Sequence, residues 1–223
     1  MSAWALGASN GGVVPPAGTS GCSPWSRTTE DVLSKGPPGP NGVPMNLFTR
    51  VCDGVVQGVW VPVLAPEDLA RLTYADLSAR LVVPVVAMSP SPARGGVVNL
   101  VEWLAVEDPG VVSVSAAIPG LSVTTSATAS SVVWDMGNGD RVPCTGLGER
   151  WAPGVGDRSP ACGYRYAWYS ADRPGDRYAV SVTLVWKVSW LASDGRSGVL
   201  GDLSTVYGFG FRVGELQTVA VAG

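Results

Sequence analysis

Apolar and polar residues alternate along most of the second half of the chain. Tyr178, Val180, Val182, Leu184, Trp186, Val188 and Trp190 interleave with Ala179, Ser181, Thr183, Val185, Lys187 and Ser189. A period of two puts the first set on one face of an extended strand, the mark of an antiparallel strand buried on one side. Residues 205–221 alternate likewise, with Tyr207, Phe209, Phe211 and Val213 opposed to Gly208 and Gly210. Glycines beside aromatics point to close approach by a neighbouring backbone or ring. Further β-branched runs at 98–106, 111–117, 121–127, 132–135 and 163–168 bring the total to about seven strands. Asp108-Pro109-Gly110, Pro119-Gly120, Asn138-Gly139 and Asp194-Gly195 punctuate them as turns. Strands this short and this regularly spaced predict a mainly β, antiparallel sandwich over 97–221.

The first part of the chain reads differently. Residues 1–21 are rich in Gly, Pro and Ser/Thr and predict a flexible leader, and 34–42 predict a second irregular loop. Residues 48–52 and 55–64 predict a hairpin turning at Asp53-Gly54. A helix over about 67–82 follows. Pro66 suits its first position, and Glu67 and Asp68 complement the helix dipole. Ala70, Tyr74, Leu77 and Leu81 recur on one face, and Pro84 ends the run. This face predicts packing against a sheet. Residues 22–92 thus predict a small N-terminal subdomain containing one helix.

Composition narrows the chemistry. The 223 residues are 46% hydrophobic and 15% charged, too apolar for a disordered chain. No run of about 18 apolar residues is present to span a membrane. A net charge of −3 argues against nucleic-acid binding, which draws its affinity from a positive surface. There is no histidine, which excludes His-based triads and His-ligated zinc.

Cys22, Cys52, Cys144 and Cys162 allow three disulfide pairings. Cys22–Cys52 and Cys144–Cys162 are favoured because each pair encloses one Gly/Pro-rich excursion. A zinc site needs closely spaced cysteine pairs, and none occurs here. Oxidised cysteines predict a secreted or cell-surface protein. Residues 1–12 nevertheless lack the basic and apolar regions of a signal peptide.

The run Val133-Trp134-Asp135-Met136-Gly137-Asn138-Gly139-Asp140 resembles the W-D-F-G-D-G signature of PKD (polycystic kidney disease) domains. Cys162-Gly163-Tyr164-Arg165-Tyr166 stands where that family has its H-T-Y turn, without the histidine. Tyr178-Ala179-Val180-Ser181-Val182 stands at its Y-x-V strand. The resemblance implies a small, immunoglobulin-like extracellular sandwich serving as a spacer or interaction module. Residues 45–215 are also similar to a group of secreted actinobacterial proteins of unassigned function. The likeness rests on the Leu69-to-Leu81 helix, Trp103, Cys144-Thr145-Gly146, Ser159-Pro160-Ala161-Cys162-Gly163, Val185-Trp186-Lys187-Val188-Ser189-Trp190 and Val213-Gly214-Glu215-Leu216-Gln217. It implies a partner among envelope proteins, such as Tad-type pilus or secretion components. Some of that group are labelled ATP/GTP-binding, but no G-x-x-x-x-G-K-[ST] occurs here, and no cofactor is assigned.

Asp135, Asn138 and Asp140 offer oxygens to a calcium ion, yet the same residues suit a type I′ turn at Asn138-Gly139, with Asp135 accepting turn amides. The turn reading is favoured and no metal is assigned. Glu67/Asp68, Glu102/Glu107/Asp108 and Glu149/Asp157 are the available carboxylate groupings. The first belongs to the helix start, and the others flank turns or the stapled loop, where acids are solvated. No catalytic residue follows, and an Asp/Glu hydrolase using Glu149 is the least favoured reading.

Trp103, Trp134, Trp186 and Trp190 fall at strand positions and predict core packing. Trp151, Trp168 and Tyr169 lie in or beside the Cys144–Cys162 excursion. They either present a binding surface or fold back as a mini-core. The chain therefore reads as a non-catalytic interaction or structural module. A carbohydrate-binding module using these three aromatics is the alternative.

Overall fold

The computed structural model describes residues 21–28, 42, 44–155 and 158–215. Residues 1–20 of the leader, most of the loop at 34–42, Asp157 and the end of the last expected strand lie outside them. The fold is mainly β, with antiparallel sheets, one α-helix among the described residues and two disulfides, consistent with the expected sandwich. Two compact units draw on separate stretches of chain: 1–80, 112–127 and 188–200 in the first; 81–111, 128–187 and 201–223 in the second.

The first unit opens with strands β1 (Ser26–Arg27), β2 (Met45–Cys52) and β3 (Val55–Pro62), paired in that order as a three-stranded sheet. Asp53 and Gly54 both have positive φ, 49° and 79°, as a tight type I′ hairpin turn requires. The Cys22–Cys52 disulfide fastens the segment before β1 to the end of β2.

Helix α1 (Pro66–Arg80) begins at its proline and carries Glu67 and Asp68 in its first turn. Glu67–Arg71 and Asp76–Arg80 are ion pairs one turn apart. Its buried positions are Pro66, Leu69, Ala70, Thr73 and Leu77. The expected face is thus rotated toward Leu69 and Thr73, and Leu81 falls beyond the helix end. Leu69 and Ala70 pack against Val123, Trp190 and Ala192, with Leu64, Ala116, Ile118, Leu121 and Leu200 around them. Burying a leucine such as Leu69 contributes about 2 kcal/mol. The buried Thr73 hydroxyl donates to the Ala70 carbonyl and lies 2.7 Å from that of Thr125.

The remaining strands are β4 (Gly96–Val97), β5 (Val101–Trp103), β6 (Val111–Ile118), β7 (Leu121–Asp135), β8 (Arg141–Thr145), β9 (Gly163–Arg165), β10 (Tyr178–Ala192), β11 (Ser197–Val199), β12 (Leu203–Phe211) and β13 (Val213–Gly214). One sheet has the order β11-β10-β7-β6, with β12 also paired to β10 and β8 to β7. β5 pairs antiparallel with β9, and β13 runs parallel to β4.

In β10 every even-numbered residue from Tyr178 to Ala192 is buried, as its alternation requires. β12 pairs with it from Tyr178 opposite Phe211 to Trp186 opposite Leu203.

β7 is one strand where two were expected. Val123, Thr125 and Ala127 are buried, and then Val132 and Trp134. The buried set passes from odd to even numbers across Thr128-Ala129-Ser130-Ser131, the phase shift that one extra residue in a strand produces. Small polar side chains hide this continuity from the pattern. The expected strand at 98–106 is broken because Asn99 is left-handed, with φ 62°. β8 had no signal, since Pro143 reads as a breaker; among the described residues it pairs with β7 alone, at an edge that tolerates proline.

Candidate functional site

The turn after β7 organises the second unit. Trp134 is buried and meets Phe209 edge-on, with ring centroids 6.5 Å apart. Asp135 Oδ1 accepts the Gly137 N–H at 3.0 Å, and its Oδ2 lies 3.4 Å from Arg141. Gly137 has φ 75°, and a Cβ there would lie 2.7 Å from the backbone N and O of Ala179. Only glycine fits.

Positive φ falls on Gly137 and Gly139 but not on Asn138, so the expected type I′ turn at Asn138-Gly139 is not formed. Asn138 instead uses its side chain. Its Oδ1 accepts the Asp140 N–H at 3.2 Å, and its Nδ2 donates to the Tyr164 hydroxyl at 2.7 Å. The Tyr164 hydroxyl in turn donates to the Asp140 carboxylate. Each side chain considered as a calcium ligand thus accepts at least one hydrogen bond within the fold.

Tyr164 leads inward. Its ring meets Tyr166 edge-on at 4.9 Å, Tyr166 stacks on Tyr178 at 4.5 Å, and Phe211 lies 5.8 Å from Tyr166. The Tyr166 hydroxyl donates to the Met136 carbonyl at 2.9 Å, closing the cluster onto the turn. Burial pushes the Tyr166 phenol well above its ordinary pKa, and burial followed by Asp140 pushes up Tyr164. Both remain proton donors. Val180 is buried next along β10.

Tyr178 carries the order outward to the loop before β10. Its hydroxyl donates to the carbonyl oxygens of Trp168 at 3.0 Å and Tyr169 at 3.2 Å. Ser170, fully buried, bonds through its hydroxyl to the Asp176 carbonyl at 2.7 Å and accepts the Val213 N–H at 3.0 Å. The side chains on this clamped backbone reach solvent: Trp168 is 72% exposed and Tyr169 38%.

Trp151, 49% exposed, sits on the loop closed by Cys144–Cys162. Arg150 pairs with Glu107 at 2.8 Å. Glu149 accepts from Arg158 and from the Ala161 N–H. Arg158, whose guanidinium also lies 5.0 Å from the Trp103 ring centre, holds the Glu149 carboxyl below its usual pKa. An ionised, doubly hydrogen-bonded carboxylate is a loop tie and is poorly suited to act as a general acid. Among the described residues no ring contact joins Trp151 to Trp168 or Tyr169.

No protein-family model, curated protein or solved structure matches the chain. Its function therefore has to be read from its own side chains.

Most of the carboxylates considered from sequence are occupied: Glu67 by Arg71, Glu107 by Arg150, and Asp108 by the Gly110 N–H at 2.8 Å. Glu102 departs from expectation. It is fully buried instead of solvated, because β5 is covered on both faces and Trp103 beside it is buried too. Among the described residues no helix is long and apolar enough to cross a membrane.

Proposed function

We propose that this chain is a non-catalytic, extracytoplasmic interaction module of PKD-like type, and that Trp151, Trp168 and Tyr169 form its contact surface for an envelope protein. The supporting observation is the exposure of Trp168 on a backbone fixed from beneath by Tyr178 and Ser170. An exposed tryptophan forgoes about 2–3 kcal/mol of burial, which binding recovers. Tryptophan and tyrosine dominate binding hot spots, and a pre-ordered loop loses less entropy on association. Two disulfides suit an oxidising compartment. A pilus or secretion component is the partner class that the sequence resemblance suggests.

The exposed face of Trp168 equally favours a second reading, stacking on a sugar ring. Retention of the chain on envelope fragments, before and after protease treatment, separates the two. A protein partner requires that protease abolish retention, and a glycan requires that retention survive. If neither preparation retains the chain, both readings fail.

A further inference from the structure

Glu102 has no exposed surface, and neither of its carboxylate oxygens meets a hydrogen-bond donor. It occupies the middle of β5, in register with Tyr164 of β9. On the β4 side Gly96 is packed so closely that a Cβ there would collide with Glu102 Oε1 and lie 3.0 Å from the Phe211 ring.

Among the described residues Tyr164 and Tyr166, with Tyr178 beyond, are the titratable groups in register or in contact on this side. Arg212 meets β4 through its backbone carbonyl at 2.8 Å, and no cation among the described residues bonds either Glu102 oxygen. Two of the three phenol protons are committed to Asp140 and Met136, and the third to the Trp168 and Tyr169 carbonyls. Gly96 and Phe211, from β4 and β12, bring no charge. Burial pushes the Glu102 carboxyl up to about 8.

β5 also anchors the stapled loop. Just past its end, Leu104 donates to the Cys162 carbonyl at 3.0 Å and accepts from the Glu149 N–H at 3.1 Å, and Val106 donates to the Leu147 carbonyl at 2.9 Å.

We propose that Glu102 is a proton-operated latch: protonated, it keeps β5 seated; deprotonated, it unseats β5 and loosens the loop that carries Trp151. A carboxylate left in this pocket would be a buried charge without a partner. The folded-state pKa is raised, so the contribution to stability is complete below about 4.5 and is lost as pH rises through about 8. Within that window each pH unit lowers the folded-to-open ratio about tenfold. The latch rests on the binding reading only for what the loosened loop would do; its test needs no partner.

Amide hydrogen exchange on the full oxidised chain, at about pH 6 and about pH 9 and corrected for intrinsic rates, tests it directly. Protection at residues 101–106 and 144–149 is expected to fall by more than about tenfold in the wild-type chain and to hold in Glu102→Gln. The α-amino group titrates in both proteins, so the comparison isolates Glu102. Equal pH dependence in the two would overturn the latch. Should Glu102→Gln not fold, carbon NMR titration of the wild-type glutamate carboxyls decides. A midpoint near about 8 supports the latch, and titration of every glutamate near about 4.5 overturns it. Neither failure touches the Trp168 surface, whose own test is envelope retention.

Discussion

The rings of Tyr166 and Tyr178 stack 4.5 Å apart, 23° from parallel, and their hydroxyls fasten two different loops. Tyr166 reaches the Met136 carbonyl in the turn after β7; Tyr178 reaches the carbonyls of Trp168 and Tyr169. The buried stack is thus the common floor of the turn after β7 and of Trp168, the most exposed aromatic among the described residues.

Tyr178→Phe keeps the stack and removes the donor shared by two carbonyls. A loss of about 1–2 kcal/mol in urea unfolding is expected, the cost of leaving buried acceptors unpaired. Exchange at residues 168–170 should rise with it. Wild-type stability in this variant would mean that the Trp168 loop is held by something else.

Gly137→Ala combines a left-handed φ with a collision against the Ala179 backbone. Destabilisation of about 2 kcal/mol or more is expected, because neither partner is a flexible side-chain end. Gly139 has φ 101° but open space around its Cβ position, so Gly139→Ala carries only the conformational cost. Thermal melting of the pair separates collision from dihedral strain.

Thr73 and Thr125 share a buried hydroxyl pair at 2.7 Å. Replacing either by valine is expected to cost about 1–2 kcal/mol, whereas replacing both costs less than the sum. Additive losses in a double-mutant cycle would remove the pair from the account of how α1 docks.

The Cys144–Cys162 disulfide closes a loop of sequence separation 18. Replacing both cysteines with serine is expected to destabilise by about 3 kcal/mol and to open residues 145–161 to proteolysis. An unchanged digestion pattern would show that the Glu149 and Arg150 contacts hold the loop unaided.

What was legible in the sequence follows physical lines. β10 could be read in full because one face is buried along its whole length, so period two survives in the residue types. The helix was legible from Pro66 and its acidic first turn, but its face was misjudged. Thr73 is buried through a hydroxyl pair that no apolar pattern signals. The continuity of β7 was hidden by four small residues, and β8 by a proline at an edge. The sequence places Glu102 in solvent because its grouping with Glu107 and Asp108 flanks a turn, where acids are ordinarily solvated. Only its place between Val101 and Trp103, inside an apolar run, hinted otherwise. The exposure of Trp151, Trp168 and Tyr169 depends on how loops close and could not be read from their spacing.

Envelope retention of the wild-type chain beside Trp168→Ala and Trp151→Ala tests the central claim most directly. Trp168 is largely exposed and Trp151 half-exposed, so the unfolding free energy is expected to fall by no more than about 0.5 kcal/mol for Trp168→Ala and about 1 kcal/mol for Trp151→Ala. Retention is expected to weaken about tenfold or more for Trp168→Ala, the cost of removing a hot-spot side chain. Wild-type retention by both variants, at unchanged stability, would contradict the assignment of these loops as the contact surface.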